Sequence, residues 1–229
     1  VDQHLDRLVE LLDGVALEVD HQQDQVGTAD ELEELGFDLI KVSLKSSDVL
    51  DTIHSYRLLA EQVDYPLHLG VTEAGTLVDG AIKSSLGIGI LLYEGIGDTI
   101  RVSLTRDPED EIPVAYSILR ALKLRERGVE LISCPTCGRT EVELIPLVEK
   151  AERLLRKVRT PIKVAIMGCV VNGPGEAREA DVGVAGGRGK GILFKRGERI
   201  ETIGETELLQ RLLVEVEQMT GEKIFEEFR

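Results

Sequence analysis

Hydrophobic and polar positions along the first half of the chain predict strands and helices in alternation. Apolar residues spaced to lie on one helix face predict helices over residues 5–12, 29–35, 49–62, 79–93 and 112–125. Runs rich in β-branched residues predict strands over 37–45, 66–72 and 99–105. Asp48 stands where it can cap the third of these helices. Three consecutive strand–helix units are therefore predicted.

Polar residues end the three predicted strands at equal spacing. They are Lys45, Glu73 and Arg101. A strand–helix unit of about 30 residues, repeated in this way, is typical of parallel β/α folds. In a TIM-type barrel the functional groups lie at the C-terminal ends of the strands, but a barrel needs eight such units. The pattern predicts part of a parallel β/α barrel or an open α/β layer.

The pattern changes beyond residue 128. Apolar strands at 129–133 and 162–167 bracket a charged helix at 141–156. Short glycine-rich strands follow at 182–185, 191–194 and 199–203, and a final helix is predicted at 205–219. This order predicts a small α/β domain with a mixed sheet. The predicted boundary lies near 126–128, which gives domains over 1–127 and 128–229.

Composition narrows the classes of function. The chain has 229 residues, of which 42% are hydrophobic and 30% charged, and a net charge of −15. A nucleic-acid surface would need clustered Lys and Arg, and aromatics for stacking on bases make up only 3%. The longest nearly apolar run, 86–93, is too short for a membrane span. No signal peptide is visible, so a cytoplasmic protein is expected.

The three cysteines of the chain are the strongest chemical signal. Cys134 and Cys137 form a C-x-x-C turn just after a predicted strand, and Cys169 follows the next predicted strand. If these strands are parallel neighbours, all three sulfurs meet at one sheet end, as a metal centre requires. The next acidic residue after Cys169 is Glu176, which the glycine- and proline-rich turn before it can return to the same place. An oxygen ligand there would be easily displaced.

Two other interpretations of the cysteines remain open. A C-x-x-C motif also occurs as half of a zinc site or as a thioredoxin-like redox pair. A zinc site would commonly add a fourth Cys or a His, yet all four histidines lie before residue 69. A redox pair would leave Cys169 without a role. Residue chemistry favours an iron–sulfur cluster without excluding zinc.

The glycine-rich stretch 183–191 invites comparison with a phosphate-binding loop. It departs from the Walker pattern at Val184 and Gly191. A β-hairpin turn is the better interpretation. Arg188 and Lys190 could still contact an anion or a redox partner.

Candidate substrate contacts in the first part are Lys45, Glu73, Arg101 and Ser103. Lys and Arg at a barrel mouth suit a phosphate, and Arg can donate two parallel hydrogen bonds to it. Glu73 can act as a general acid or base if it is buried, or simply form a salt bridge with Lys45 or Arg101. His68 is expected to fill the interior.

Six motifs in order resemble the 4-hydroxy-3-methylbut-2-enyl diphosphate synthase family. They are KVSLKSSDV (41–49), SYRLLA (55–60), PLHLGVTEAG (66–75), EGIGDTIRVSL (94–104), CPTCGR (134–139) and GCVVNGPGEA (168–177). The resemblance covers about residues 35–220, whereas residues 1–34 match the family poorly.

The resemblance implies a reductive reaction in the methylerythritol phosphate route to isoprenoids. The family opens 2-C-methyl-D-erythritol 2,4-cyclodiphosphate and removes a hydroxyl, with two electrons passing from ferredoxin or flavodoxin through a 4Fe–4S cluster. By motif, the cluster ligands would be Cys134, Cys137, Cys169 and Glu176, and Glu73 would be catalytic. Substrate contacts would be Lys45, Thr72, Arg101, Ser103 and Asn172. A homodimer is implied, with each barrel capped by the partner's cluster domain.

The sequence also departs from the family pattern. A complete β/α barrel precedes the family's cluster domain, and about five of its strands have no counterpart here. We expect a C-terminal portion that binds a cluster more readily than it turns over substrate, because an open barrel leaves unpaired strand edges. A non-catalytic metal-stabilised binding or electron-transfer module is the alternative.

Overall fold

A computed structural model describes residues 25–44, 46–170, 175 and 177–224. The helix predicted over 5–12 lies outside this described part. The chain divides into two compact units, Val1–Arg125 and Glu126–Arg229. In the described residues, no helix is both long and apolar enough to cross a membrane.

The first unit alternates helices with short parallel strands. Its elements are α1 (Gln25–Glu34), α2 (Val49–Ala60), β1 (His68–Gly70), α3 (Leu77–Tyr93), β2 (Thr99–Arg101) and α4 (Glu111–Ala121), with a 3-10 turn at Pro108–Asp110. The predicted cap is confirmed, because the Asp48 carboxylate accepts a hydrogen bond from the Asp51 backbone N–H at 2.9 Å. The helices predicted within the described residues of this unit are present, with ends shifted by a few residues.

The strand predicted over 37–45 is wrong for its described residues, 37–44, which form no regular strand. Instead, two isolated parallel bridges pair Val42 with Leu67 and Ser46 with Val71. Between them the Tyr56 hydroxyl accepts a hydrogen bond from the Leu44 N–H at 2.9 Å and donates one to the His68 carbonyl. A side chain from α2 thus bridges the two backbones where a strand ladder would join them directly. Sequence pattern predicts the apolar run but not this insertion.

Helices cover one face of the small parallel sheet in the first unit. Leu67, Leu69 and Val71 are buried. Leu69 packs in a core with Tyr56 and Leu91 from the helices. Because side chains alternate along a strand, His68 and Gly70 lie on the opposite face. This second face carries the polar candidates described below.

The second unit is built on longer strands. Its elements are β3 (Val129–Ser133), α5 (Leu144–Leu155), β4 (Ile162–Met167), β5 (Val182–Gly187), β6 (Lys190–Lys195), β7 (Glu198–Gly204) and α6 (Leu208–Thr220), with a 3-10 turn at Glu205–Glu207. In the described part of the chain, the strands form a five-stranded sheet in the order β3-β4-β5-β6-β7. The first three strands are parallel, and the last two add antiparallel pairings. The predicted mixed sheet is confirmed.

Both faces of this sheet are packed. On one face Val164, Ile166 and Val184 join a core with Leu208 and Leu212 of α6. On the other face Ala165, Met167 and Phe194 pack with Ala177 and Ala180. The strands alternate between these two cores, as the two-residue period requires. Their C-terminal ends are thereby held in fixed register.

Candidate functional site

Polar candidates of the first unit gather at the C-terminal ends of its parallel strands. Gly70 pairs with Arg101 across β1 and β2, and the Thr72 N–H donates to the Ser46 carbonyl at 3.1 Å. Arg101 therefore shares the face of Gly70, opposite the helices. Thr72, Arg101 and Ser103 are each half-buried. A half-buried guanidinium at such an edge is suited to bidentate hydrogen bonding with an anion.

His68 lies on the same polar face, one strand position before Leu69. Its Nδ1 is 2.8 Å from the Thr99 Oγ1 on the neighbouring strand. The imidazole thus has a lateral partner within the sheet face. The side chain is only half-buried, so the expectation that it fills the interior stays a prediction.

Glu73 lies in the turn that follows β1. Its side chain is exposed and its backbone has a φ of 50°, in the left-handed region that few non-glycine residues adopt. Such outliers concentrate at functional sites as well as at turns. The burial that an acid–base role would need does not come from the described residues of this chain. The role of Glu73 stays a prediction.

Three further sequence candidates lie outside the described residues. They are Lys45, Asn172 and Glu176. Nothing in the structure therefore tests the contacts predicted for them.

The second unit brings two cysteine segments to one sheet edge. β3 and β4 are parallel neighbours, with Ser133 paired with Ile166, so the condition set by the sequence is met. Cys134 follows β3 directly, and Cys169 lies just beyond the end of β4. The Gly168 N–H donates to the Cys134 Sγ at 3.2 Å, which joins the two segments. Hydrogen bonds to sulfur of this kind stabilise a thiolate ligand.

The C-x-x-C turn has its own internal hydrogen bonds. The Cys137 N–H donates to the Thr140 Oγ1 at 3.2 Å, and the Thr140 N–H donates to the Cys137 carbonyl at 3.0 Å. The Glu141 N–H then donates to the Gly168 carbonyl at 2.9 Å. Residues 134–141 therefore hold Gly168 by both its N–H and its carbonyl.

The three thiols are chemically suited to bind a metal, but they are not arranged around a common metal position. All three cysteines are free, with Cys134 and Cys169 half-buried and Cys137 exposed. Within the described ranges, no three His, Cys, Asp or Glu side chains are grouped closely enough to hold a metal ion. Three thiols at one edge are nevertheless the donor set of an iron–sulfur or zinc site. Binding would require the three thiols to come closer together than they lie here.

The predicted hairpin at the glycine-rich stretch is confirmed. β5 and β6 are antiparallel, and Gly187 pairs with Lys190 across a turn formed by Arg188 and Gly189. The exposed Arg188 lies with its Nε 3.7 Å from the Glu141 Oε1, so this turn lies beside the cysteine loop. An exposed pair at this distance contributes little stability. Arg188 and Lys190 remain exposed at the edge that carries the thiols.

Sequence reasoning missed Thr140, Gly168 and Tyr56. Thr140 stands three residues after Cys137, the spacing at which a hydroxyl commonly accepts a hydrogen bond from a backbone N–H. That spacing could have indicated the first of these contacts. The other two are tertiary approaches between distant segments, which no local pattern encodes.

Together, the mixed sheet and its thiol-bearing edge define an α/β protein with a candidate metal centre. Residues 21–116 match the GcpE TIM-barrel domain, and residues 130–218 match the GcpE protein C-terminal domain. The chain belongs to the GcpE family.

Relatives with curated names are similar over most of this chain. Proteins from Geobacter sulfurreducens, Maridesulfovibrio salexigens and Thermodesulfovibrio yellowstonii are 58%, 62% and 59% identical over 192, 193 and 185 residues. These alignments cover 84%, 84% and 81% of the chain and 54%, 54% and 53% of the relatives. Each relative is named 4-hydroxy-3-methylbut-2-en-1-yl diphosphate synthase (flavodoxin). The chain spans about half the length of the curated relatives it matches, a C-terminal portion of them.

Proposed function

We propose that this chain belongs to an enzyme that makes 4-hydroxy-3-methylbut-2-enyl diphosphate. The reaction would be the reductive ring opening and dehydroxylation of 2-C-methyl-D-erythritol 2,4-cyclodiphosphate. Family membership and the names of the relatives support this activity. The observation that carries the chemistry is the hydrogen bond from the Gly168 N–H to the Cys134 Sγ at 3.2 Å, because it joins the two cysteine segments.

Cys134, Cys137, Cys169 and Glu176 would hold a 4Fe–4S cluster. When bound, the cluster supplies the two electrons of the reaction one at a time. The thiolates would hold three irons firmly, while the carboxylate of Glu176 would hold the fourth through a weaker oxygen bond. A weakly held position is what a catalytic metal site needs in order to admit substrate.

The polar face of the first unit would bind the diphosphate. Lys45 and Arg101 would neutralise its charge, with Arg101 donating paired hydrogen bonds, and Thr72 and Ser103 would add hydroxyl donors. Asn172 would contact substrate from the cluster side. Glu73 would move a proton once substrate or another subunit covers its exposed side chain.

Domain organisation, donor and assembly are part of the same proposal. Residues 1–127 would form part of a parallel β/α barrel and residues 128–229 the iron–sulfur domain. Flavodoxin, which the relatives' names specify, or ferredoxin would supply electrons in the cytoplasm. A homodimer would place one subunit's barrel opposite the other's cluster domain. Neither nucleic acid nor membrane is expected to bind.

Anaerobic reconstitution of the chain with iron and sulfide tests the cofactor. We expect a brown protein with about four irons and four sulfides per chain, as a cubane cluster requires. A Cys137→Ser variant should lose most of this cluster, because it removes a thiolate. Ser133→Ala, an exposed neighbour on the same edge, is the matched control. A colourless protein with stoichiometric zinc would reject the cluster and favour a metal-stabilised binding module.

The fourth ligand is tested by Glu176→Ala. We expect this variant to keep three irons firmly and to lose one on mild oxidation, giving a three-iron form visible by electron paramagnetic resonance. Glu179→Ala removes an exposed carboxylate from the same segment and should behave as wild type. A four-iron cluster of unchanged lability in the first variant would place the ligand elsewhere.

A further inference from the structure

Thr140 occupies the space between the C-x-x-C turn and the segment that carries Cys169. Its Oγ1 accepts the Cys137 N–H at 3.2 Å, while its methyl group faces Gly168. The side chain is half-buried, although it lies in a loop at a sheet edge. One residue thus contacts both cysteine segments.

Gly168 is the residue that permits this contact. A Cβ added at Gly168 would lie 2.9 Å from the Thr140 Cγ2, 3.1 Å from its Oγ1 and 3.3 Å from the Leu144 Cδ2. The first distance is too short for two carbon atoms, so a side chain at 168 would force the Thr140 side chain or its segment to shift. The same residue donates to the Cys134 Sγ and accepts from the Glu141 N–H at 2.9 Å. The contact between the two cysteine segments therefore depends on both the backbone position of Gly168 and its lack of a side chain.

We propose that Thr140 and Gly168 are a positioning pair that sets the separation of the C-x-x-C turn from Cys169 and so preorganises the metal centre. This inference rests on the proposed function, because it assumes that the three thiolates share one cluster. Metal sites tolerate errors of only about 0.5 Å in their ligands, so the supporting residues decide how firmly the metal is held. Thr140 would orient Cys137, and Gly168 would hold Cys134 and Cys169 within reach of each other.

The two functions of the Thr140 side chain can be separated by two substitutions. Thr140→Val keeps the shape but removes the acceptor for the Cys137 N–H, whereas Thr140→Ser keeps the acceptor and removes the methyl group. We expect the reconstituted cluster of Thr140→Val to be lost to a chelator about threefold to tenfold faster than that of wild type, the effect of one hydrogen bond. Thr140→Ser should stay within about twofold of wild type. Thermal unfolding of the metal-free proteins should be the same for all three.

The contact at Gly168 can be tested by compensation. Gly168→Ala should shift the midpoint potential of the cluster and speed its loss, because it pushes the donor N–H away from the Cys134 sulfur. Adding Thr140→Ser removes the nearest clashing atom and should restore part of both properties. Gly138→Ala is the matched control, since a Cβ there meets no atom within 4 Å.

The results of these experiments distinguish failure of the positioning role from failure of the proposed function. If Thr140→Val and Thr140→Ser retain the cluster equally well, or if Thr140→Val weakens the metal-free protein as much as the cluster, the positioning role is overturned. The role is also overturned if the effects of Gly168→Ala and Thr140→Ser on the cluster simply add in the double variant. Wild-type protein that takes up no cluster overturns the proposed function and this inference together. If wild type binds a cluster and the variants retain it as well as wild type does, only this inference is overturned.

Discussion

The two units carry their candidate groups at the same kind of place but support them differently. In the second unit, β4 is paired along its length with a parallel neighbour on each side, and both sheet faces are packed. In the first unit, β1 and β2 are three residues each, and among the described residues β1 is joined to the preceding segment by isolated bridges. Helices pack on one face there, and the other face carries His68, Thr99 and Arg101. Within the described part of the chain, the cysteine edge therefore belongs to a sheet that is packed on both faces, and the polar edge does not.

This difference indicates which site each unit can preorganise. The cysteine edge is supported from both faces, so backbone contacts such as that of Gly168 can fix its loops. The polar face of the first unit leaves Glu73 exposed in the turn after β1. A substrate site there would need further groups to cover that face, since binding sites are concave and largely enclosed. The proposed cluster binding should therefore depend less on groups outside the described residues than the proposed substrate binding does.

The largest expected effect is on the packed sheet of the second unit. Phe194 is fully buried, and its ring lies directly over Gly183 of β5. Phe194→Ala should cost about 3–5 kcal/mol of the free energy of unfolding, because it leaves a cavity that the stiff sheet cannot close. Hydrogen exchange measured by peptide should rise most in β4 to β7. Equal loss of protection in α2 and α3 would contradict this localisation.

A matched control lies on the outermost strand of the same sheet. Ile200 on β7 is 54% exposed, so Ile200→Ala removes an apolar side chain with little burial. We expect this change to stay within about 0.5 kcal/mol of wild type. Denaturant titration of both variants under the same conditions provides the comparison.

Sequence alone predicted most of the elements and part of the site. Periodicity located the helices, and β3 and β4 have the predicted bounds, because these segments pack with the faces that their own patterns define. The parallel pairing of β3 and β4, on which the meeting of the cysteine segments depends, is confirmed. The prediction of a strand over 37–45 is wrong because the Tyr56 side chain, from a later helix, binds the Leu44 N–H that a strand ladder would use. The contact of Thr140 with Gly168 likewise joins segments far apart in sequence.

The insertion of Tyr56 between the two segments should stabilise the first unit. Tyr56 is completely buried, and its hydroxyl connects the Leu44 N–H to the His68 carbonyl. Tyr56→Phe should cost about 1–3 kcal/mol, because the Leu44 N–H loses this acceptor in a buried position. Hydrogen exchange at Leu44 should speed up, while that in β4 should not change.

Tyr93 provides the control for the loss of a hydroxyl. It is 83% exposed at the end of α3, so Tyr93→Phe should stay within about 0.5 kcal/mol of wild type. If Tyr56→Phe costs as little stability as Tyr93→Phe, the Tyr56 hydroxyl does not stabilise the connection between the segments of Leu44 and His68. The contrast between the two units would then rest on strand length and on the packing of the sheet faces.

The smallest expected effect is on the pH dependence of stability, and each unit offers one carboxylate to test. The Glu222 carboxylate accepts hydrogen bonds from the Thr160 hydroxyl at 2.6 Å and from the Arg159 and Thr160 N–H groups at 2.9 and 2.8 Å, which lower its pKa below the ordinary 4.5. In the first unit, the hydrogen bond from Arg57 lowers the pKa of Glu94 in the same direction. A carboxylate with a lowered pKa in the folded state stabilises the fold above the unfolded value of 4.5, and that stability is lost as the pH falls through the folded pKa.

Glu222→Gln and Glu94→Gln should each flatten the loss of stability between neutral pH and acid. We expect the larger change for Glu222, because its donors include two backbone N–H groups that the fold holds in place, whereas Arg57 and Glu94 are partly exposed side chains open to screening by salt. Urea titrations across this pH range, at low and high salt, measure both. A strong salt effect on the Glu222 contribution, equal to that on Glu94, would mean that the loop holding Glu222 is no more rigid than a surface ion pair.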